Sequence, residues 1–191
     1  MKLIVLDRDG VINQDSDRFI KNPDEWIPIE GSLEAISRLT HANFHVVVAT
    51  NQSGIGRGLF DIDALNRIHQ KMHKMVATEG GLIEAIFFCP HSAENRCECR
   101  KPKPGMLHEI ERRYGISLKG VPFVGDSLRD LEAAVSAHAL PFLVLTGKGE
   151  KTMEQGNLPP HTRIFPSLAA VVDTLLLEEE ELLEQGESEA S

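Results

Sequence analysis

Basic residues are in short supply in this chain: 20 lysines and arginines stand against 29 aspartates and glutamates, a formal net charge of −9. So acidic a chain is poorly suited to nucleic acid or an anionic membrane surface as its main partner. Long hydrophobic runs are missing too. Nothing approaches the roughly 20 apolar residues of a membrane span, and Met1-Lys2-Leu3 leads straight into a strand-like segment without a secretory pattern, so a cytoplasmic protein is expected. Cysteine is scarce, with three residues in all. An odd number crowded at Cys89, Cys97 and Cys99 makes a poor disulfide framework and a better set of metal ligands. Internal repeats and heptads are absent, and a monomer is expected.

What is present is the composition of an ordinary globule, 41% apolar and 26% charged, in a chain long enough for one full core. A single domain over residues 1–177 is expected, followed by an acidic tail, 178–191, that begins Glu178-Glu179-Glu180-Glu181 and is expected to be disordered. Lys2–Leu6 is an apolar run of strand length, ending in Asp7-Arg8-Asp9-Gly10, where glycine lets the chain turn away. Val11–Glu30 reads as a flap folded over the end of that strand. Further strands are expected at Phe44–Thr50, Glu84–Phe88, Val121–Asp126 and Pro141–Leu145, with a short one at Arg163–Phe165. Helical stripes lie between them: one capped by Ser32 and carrying Leu33, Ile36 and Leu39; one capped by Asp61 and carrying Ile62, Leu65, Ile68, Met72 and Met75; one near Met106–Tyr114; one capped by Ser127; and a last from Ser167. Strands alternating with helices predict an α/β fold, a Rossmann-like three-layer α/β/α arrangement with a mainly parallel sheet.

In such sheets ligands bind beyond the carboxyl ends of the strands. Asp7 and Asp9, Thr50 and Asn51, and Asp126 fall at those ends here, and Lys101 arrives from the loop after the third strand. Alternation along an extended backbone sends Asp7 and Asp9 to one side, where two carboxylates repel unless a cation such as magnesium sits between them. Acids, a hydroxyl and a lysine on one rim suit a phosphate dianion and its metal. Cys89, His91, Cys97 and Cys99 supply four ligands of the right softness for tetrahedral zinc with no open position, hence a structural site.

This pattern resembles the haloacid dehalogenase superfamily of phosphatases. The resemblance covers nearly the whole chain before the tail and implies Asp7 as nucleophile through a phospho-aspartyl intermediate, Asp9 as general acid and base, and Thr50 with Lys101 on the phosphate oxygens. It further implies magnesium on the Asp7 carboxylate, the Asp9 carbonyl and Asp126. Asp130 serves in such a motif either to orient the lysine or a metal-bound water, or simply as a helix N-terminal acid. The combination DRDG, TNQSGIGRG, CPH with CECRKPKPGM, and GDSLRD is similar to a zinc-loop subgroup of heptose bisphosphate phosphatases. That similarity implies removal of the C7 phosphate from a sugar bisphosphate, feeding nucleotide-activated heptose for surface glycans. Substrate contacts it implies are Asn13, Asp15 to Arg18, Asn51, Gln52, Ser53, Arg100 and Ser127, with Arg100 suited to the far phosphate because its planar fork holds two oxygens. Histidinol-phosphate phosphatases share the zinc loop and the catalytic residues; Ser53, where those enzymes usually carry aspartate, separates the two readings. A phosphoacceptor without turnover also uses a strand-end Asp, Thr and Lys, but the additional Asp9 favours turnover. His69 and His73, spaced i, i+4, are expected on an exposed polar helix face, and Lys148 is left between an anion contact and solvation.

Overall fold

The computed structural model describes the backbone of residues 1–189. Six strands, β1 (Lys2–Leu6), β2 (Phe44–Asn51), β3 (Ala85–Cys89), β4 (Pro122–Gly125), β5 (Leu140–Val144) and β6 (Arg163–Phe165), form one sheet in the order β3-β2-β1-β4-β5-β6. Every pairing in it is parallel. β1 is central, flanked by β2 and β4, so the chain order reverses beside it and all carboxyl ends point to one rim. Strand alternation then builds two cores. Ile4 and Leu6 of β1 face Ile36 and Leu39 of α1 (Ser32–His41), Ile68 and Met72 of α3 (Ile62–Thr78), and Val171 and Val172 of α7 (Leu168–Glu189). Leu3 and Val5 face Leu107 and Ile110 of α4 (Gly105–Tyr114) and Ala133 and Ala134 of α5 (Leu128–Ser136). Each such aliphatic side chain contributes about 1.5–3 kcal/mol on burial.

The expected α/β architecture is present, with strand ends shifted by a residue or so. Two helices join it that periodicity did not announce: the four-residue α2 (Ser53–Gly56) and α6 (Gly149–Gln155). Ser32 is not the cap of α1. Gly31 holds that position at φ 78°, and the Ser32 hydroxyl donates instead to Val11 O at 2.8 Å, tying the flap to the helix. Asp61 does cap α3, accepting from Ala64 N at 2.8 Å. The buried stripe of α3 is Leu65, Ile68, Met72 and Val76, whereas Ile62 is exposed. His69 departs from its expected exposed face and is buried.

The flap from Val11 is pinned rather than loose. Val11, Ile12, Ile20 and Trp26 lie in the same core as β1, and the Lys71 ammonium donates to Pro23 O and Trp26 O at 2.7 and 2.8 Å. The α7 helix runs on through the acidic segment to Glu189. Leu175 and Leu176 pack on the core, Glu178 pairs with Arg163 at 2.7 Å and Glu179 with Lys2. Glutamate and leucine are good helix formers, so a helix anchored at its start propagates through them. Residues 190 and 191 of the expected tail lie outside the described residues.

Candidate active site and zinc-type cluster

Gly10 leaves β1 at φ 83°, and Gly147, in the loop after β5, has φ 58°. A Cβ at either would run into the Asp126 carboxylate, so these glycines let two loops close on the acid at the end of β4. Around them lies a cavity of 370 Å³, in the range of small-molecule sites. It is lined by Asp7, Asp9, Asp15, Asn51, Gln52, Ser53, Arg100, Lys101, Asp126, Ser127, Asp130 and Lys148, among others. The fold thus brings together most of the residues singled out from sequence.

Lys101 is the hub of its floor. Its ammonium, 2% exposed, lies 2.9 Å from Asp7 and 2.7 Å from Asp130, and donates to Ala49 O at 2.8 Å. Asn51 clamps the lysine's backbone from both sides, donating to Lys101 O and accepting from Lys101 N at 3.1 Å each. Asp130 also accepts from the Ser127 amide and hydroxyl at 3.0 and 2.7 Å. It therefore caps α5 and orients the lysine at once, so the two roles open for it are not alternatives.

Asp9 sits in a different environment. Its carboxylate accepts from Arg8 Nε at 3.1 Å, Arg8 Nη2 at 2.8 Å, Asn13 Nδ2 at 2.9 Å and Gln52 Nε2 at 2.9 Å. Burial by itself would push the Asp9 carboxyl up, but Arg8 and these amides outweigh it and hold the group below the ordinary carboxylate range. Asp7 and Asp126 go the other way. Burial first, with the neighbouring acids adding to it against the pull of Lys101, raises Asp7 to about 7. Burial, then Asp130 and Asp7, raises Asp126 to about 8. Asp7, Asp126 and Asp130 bring carboxylate oxygens within 4.8 Å of one another. With all four floor carboxylates ionised, the two buried cations Arg8 and Lys101 would leave two negative charges over, and without a metal that excess is relieved by protons on Asp7 and Asp126. One divalent cation matches that deficit, and an all-oxygen donor set suits magnesium. The fit is good.

The four zinc-type ligands also converge. Cys89 Sγ lies 3.6 Å from Cys97 Sγ and 3.2 Å from Cys99 Sγ, and His91 Nδ1 lies 3.6 and 3.3 Å from Cys89 and Cys99. Tetrahedral zinc with ordinary bond lengths spaces such atoms about 3.5–3.8 Å apart, so the cluster fits the ion with little adjustment. It lies in the loop between β3 and α4, immediately before Arg100 and Lys101, and Arg100 Nη1 donates back to His91 O at 3.3 Å. Binding zinc there would fix the segment that delivers the lysine.

Other expected contact residues stand differently. Thr50 is buried and outside the cavity lining, its hydroxyl accepting from Gln52 at 2.9 Å; Asn13 is buried and donates to Asp9 at 2.9 Å. Arg18 is exposed and outside the cavity lining. Sequence reasoning passed over Arg8, wholly buried with one face on Asp9 and Nη1 3.3 Å from His69 Nε2. Strand alternation was the available signal, since a residue between Asp7 and Asp9 points to the opposite side, where a charge needs partners. His69 answers that need as a neutral ring, with burial and then Arg8 holding it down at about 3. Lys148 meets anions of the chain itself: its ammonium lies 2.9 Å from Asp15 and its amide donates to Asp126 at 2.8 Å, joining flap and rim.

Residues 98–171 match a family model described as HAD-hydrolase-like. Over 178 residues, 93% of this chain and 99% of the relative, the sequence is 61% identical to the D-glycero-β-D-manno-heptose-1,7-bisphosphate 7-phosphatase of Bordetella bronchiseptica. It is 53% identical over 174 residues, 91% of this chain and 97% of the relative, to the protein of that name from Pseudomonas aeruginosa. Among solved structures, the B. bronchiseptica D,D-heptose 1,7-bisphosphate phosphatase complexed with magnesium and phosphate superposes with a TM-score of 0.92 at 61% identity, over 93% of this chain and 99% of that one.

Proposed function

The chain belongs to the D-glycero-β-D-manno-heptose-1,7-bisphosphate 7-phosphatase family of HAD-type hydrolases, and from that premise we propose that it removes the C7 phosphate of the β-anomer. The observation that carries the proposal is the floor just described: an Asp7 carboxyl 2.9 Å from the Lys101 ammonium, beside an Asp9 held by its own separate partners. In the first displacement an Asp7 carboxylate oxygen forms a bond to phosphorus as the bond to the sugar C7 oxygen breaks. Asp9, held ionised in the free site, takes up a proton as the dianionic phosphate binds and gives it to that oxygen, so heptose 1-phosphate leaves as the alcohol. In the second, Asp9 takes a proton from water as the water oxygen attacks the phosphoryl group, releasing phosphate and restoring the Asp7 carboxylate. Asp7 and Asp126, with the Asp9 carbonyl, would hold magnesium, which would supply the charge that lets a dianionic phosphate approach a carboxylate. Lys101 supplies positive charge to the transferring group from a position that Asn51 and Asp130 fix. Arg8, Asn13 and Gln52 hold the proton-transfer carboxylate in one orientation.

A monomer is part of this reading. Its cytoplasmic placement is supported by unpaired thiols gathered for a metal, which suits a reducing compartment. Among the described residues no helix is long and apolar enough to cross a membrane. Phosphate release in magnesium from the α- and β-heptose 1,7-bisphosphates and from histidinol phosphate tests the substrate. The expected result is a kcat/KM for the β-bisphosphate about a hundredfold above the others, or about 2.7 kcal/mol in transition-state binding. Preference for histidinol phosphate would overturn the assignment while leaving the two-step chemistry in place. Absence of a phospho-enzyme trapped on Asp7 during turnover would overturn the chemistry.

A further inference from the structure

Arg8 and His69 are both buried, and neither lines the cavity. An arginine stays charged, so a buried guanidinium needs acceptors along its edges. One edge faces Asp9: Nε and Nη2 donate to Asp9 Oδ1 at 3.1 and 2.8 Å, and Nη2 reaches Oδ2 at 3.1 Å. Nη1, at the opposite corner of the planar fork, lies 3.3 Å from His69 Nε2. Because Nη1 can only donate, Nε2 accepts, and the imidazole is the neutral tautomer with its proton on Nδ1. Packing sets the ring in turn. It meets Phe88 of β3 edge-on, with centroids 6.5 Å apart at 65°, and it stands on α3 beside the buried Leu65, Ile68 and Met72. Asp9 takes its bonds unequally. Oδ1 accepts from Nε and Nη2 of Arg8 and from Asn13 Nδ2, whereas Oδ2 accepts from Gln52 at 2.9 Å and from Nη2 at 3.1 Å. Oδ2 is therefore the oxygen with room for a transferred proton, and the setting of the guanidinium decides where it points.

We propose that His69 is a positioning residue for proton transfer: by holding Nη1 of Arg8 it stops the guanidinium turning and so fixes the Asp9 carboxylate toward the leaving oxygen. An arginine anchored on Asp9 alone would rock together with the carboxylate it binds. Anchored at both edges, it is a fixed template for that carboxylate, with Asn13 and Gln52 closing the other sides. A neutral acceptor suits the task better than an acid, because a second carboxylate would compete with Asp9 for the guanidinium charge. His69 lies outside the cavity, so its effect is confined to steps in which Asp9 moves a proton. This inference rests on the two-displacement reading above and adds to it the element from which the acid is aimed, the middle of α3.

The test compares two esters that differ in their need for that proton. The C7 oxygen of the sugar leaves as the alcohol, whereas the phenolate of p-nitrophenyl phosphate leaves unprotonated, and kcat/KM reports each reaction through the first displacement. His69→Leu keeps the bulk and removes the acceptor. In it, kcat/KM for β-heptose 1,7-bisphosphate is expected to fall about tenfold, through kcat with KM unchanged, and that for p-nitrophenyl phosphate by less than about twofold. His69→Gln, whose side-chain carbonyl can accept from Nη1, is expected to recover most of the loss. Equal losses on the two esters in His69→Leu overturn the inference, since they mark damage to the floor or the fold. An unchanged rate on the bisphosphate overturns it too, as does a glutamine variant no better than the leucine one. A wild type that prefers histidinol phosphate overturns the heptose assignment alone, because that ester also leaves as an alcohol and the same comparison is made on it.

Discussion

Replacing Lys101 by methionine keeps a long unbranched side chain and removes the positive charge from between two buried carboxylates. In the native protein the ammonium lies 2.9 Å from Asp7 and 2.7 Å from Asp130 and is 2% exposed. One such pair is worth about 6 kcal/mol of Coulomb attraction at an effective dielectric of about 20, most of it offset by the desolvation of both ions. Removing one partner leaves the other desolvated and unpaired, at a cost of about 3–5 kcal/mol. Asp130 retains its two bonds from Ser127, which keeps the expected loss inside that range rather than doubling it. The loss depends on pH. Asp7 already sits at about 7 against an ordinary 3.8 with Lys101 pulling it down, so without the lysine its folded-state pKa rises further. A carboxyl whose pKa is higher in the folded than in the unfolded state binds an extra proton on folding, so stability falls as pH rises between those two values. Urea unfolding of wild type and Lys101→Met without added magnesium should therefore differ by about 3–5 kcal/mol at pH 8 and by clearly less at pH 5. A difference under about 1 kcal/mol at pH 8, or one as large at pH 5, would refute the ion-pair account. Turnover should fall at least about 10²-fold.

Magnesium affinity, measured by titration calorimetry, should climb between about pH 5 and pH 8, because burial and mutual repulsion keep protons on Asp7 up to about 7 and on Asp126 up to about 8, and the cation must displace them. A flat profile would show that these acids are not its ligands. Cys97→Ser should lower the zinc content of the purified protein and reduce kcat/KM without touching a cavity residue, since the loop before Arg100 and Lys101 loses its anchor; unchanged metal content would remove the cluster from consideration as a zinc site.

Legibility from sequence followed the range of the interaction. Strand-length apolar runs with polar ends were readable because side-chain alternation and burial act over a few residues, and β1, β2, β4 and β5 appear close to where the runs place them. The strand-end acids Asp7 and Asp126 were readable for the same reason, as parallel sheets collect carboxyl ends on one rim, and Lys101 reaches that rim from the loop after β3. His69 was not, since helical spacing says which residues share a face and not what lies against it. Only the packing of α3 beside β1 puts that ring on Arg8. At the start of the segment after residue 177, composition does not announce the ion pairs that Glu178 and Glu179 make to Arg163 and Lys2.

The sequence by itself determined the chemistry available: two acids at one strand end, a third at another, a lysine after a cysteine-rich loop, and three thiols with one histidine. The tertiary structure decided how that chemistry is divided. It gave Lys101 to Asp7 and Asp130, gave Arg8 to Asp9, and kept Thr50 and Asn13 out of the cavity lining. Protonation and charge pairing depend on distance and burial across elements far apart in the chain, and those are fixed only when the sheet has assembled.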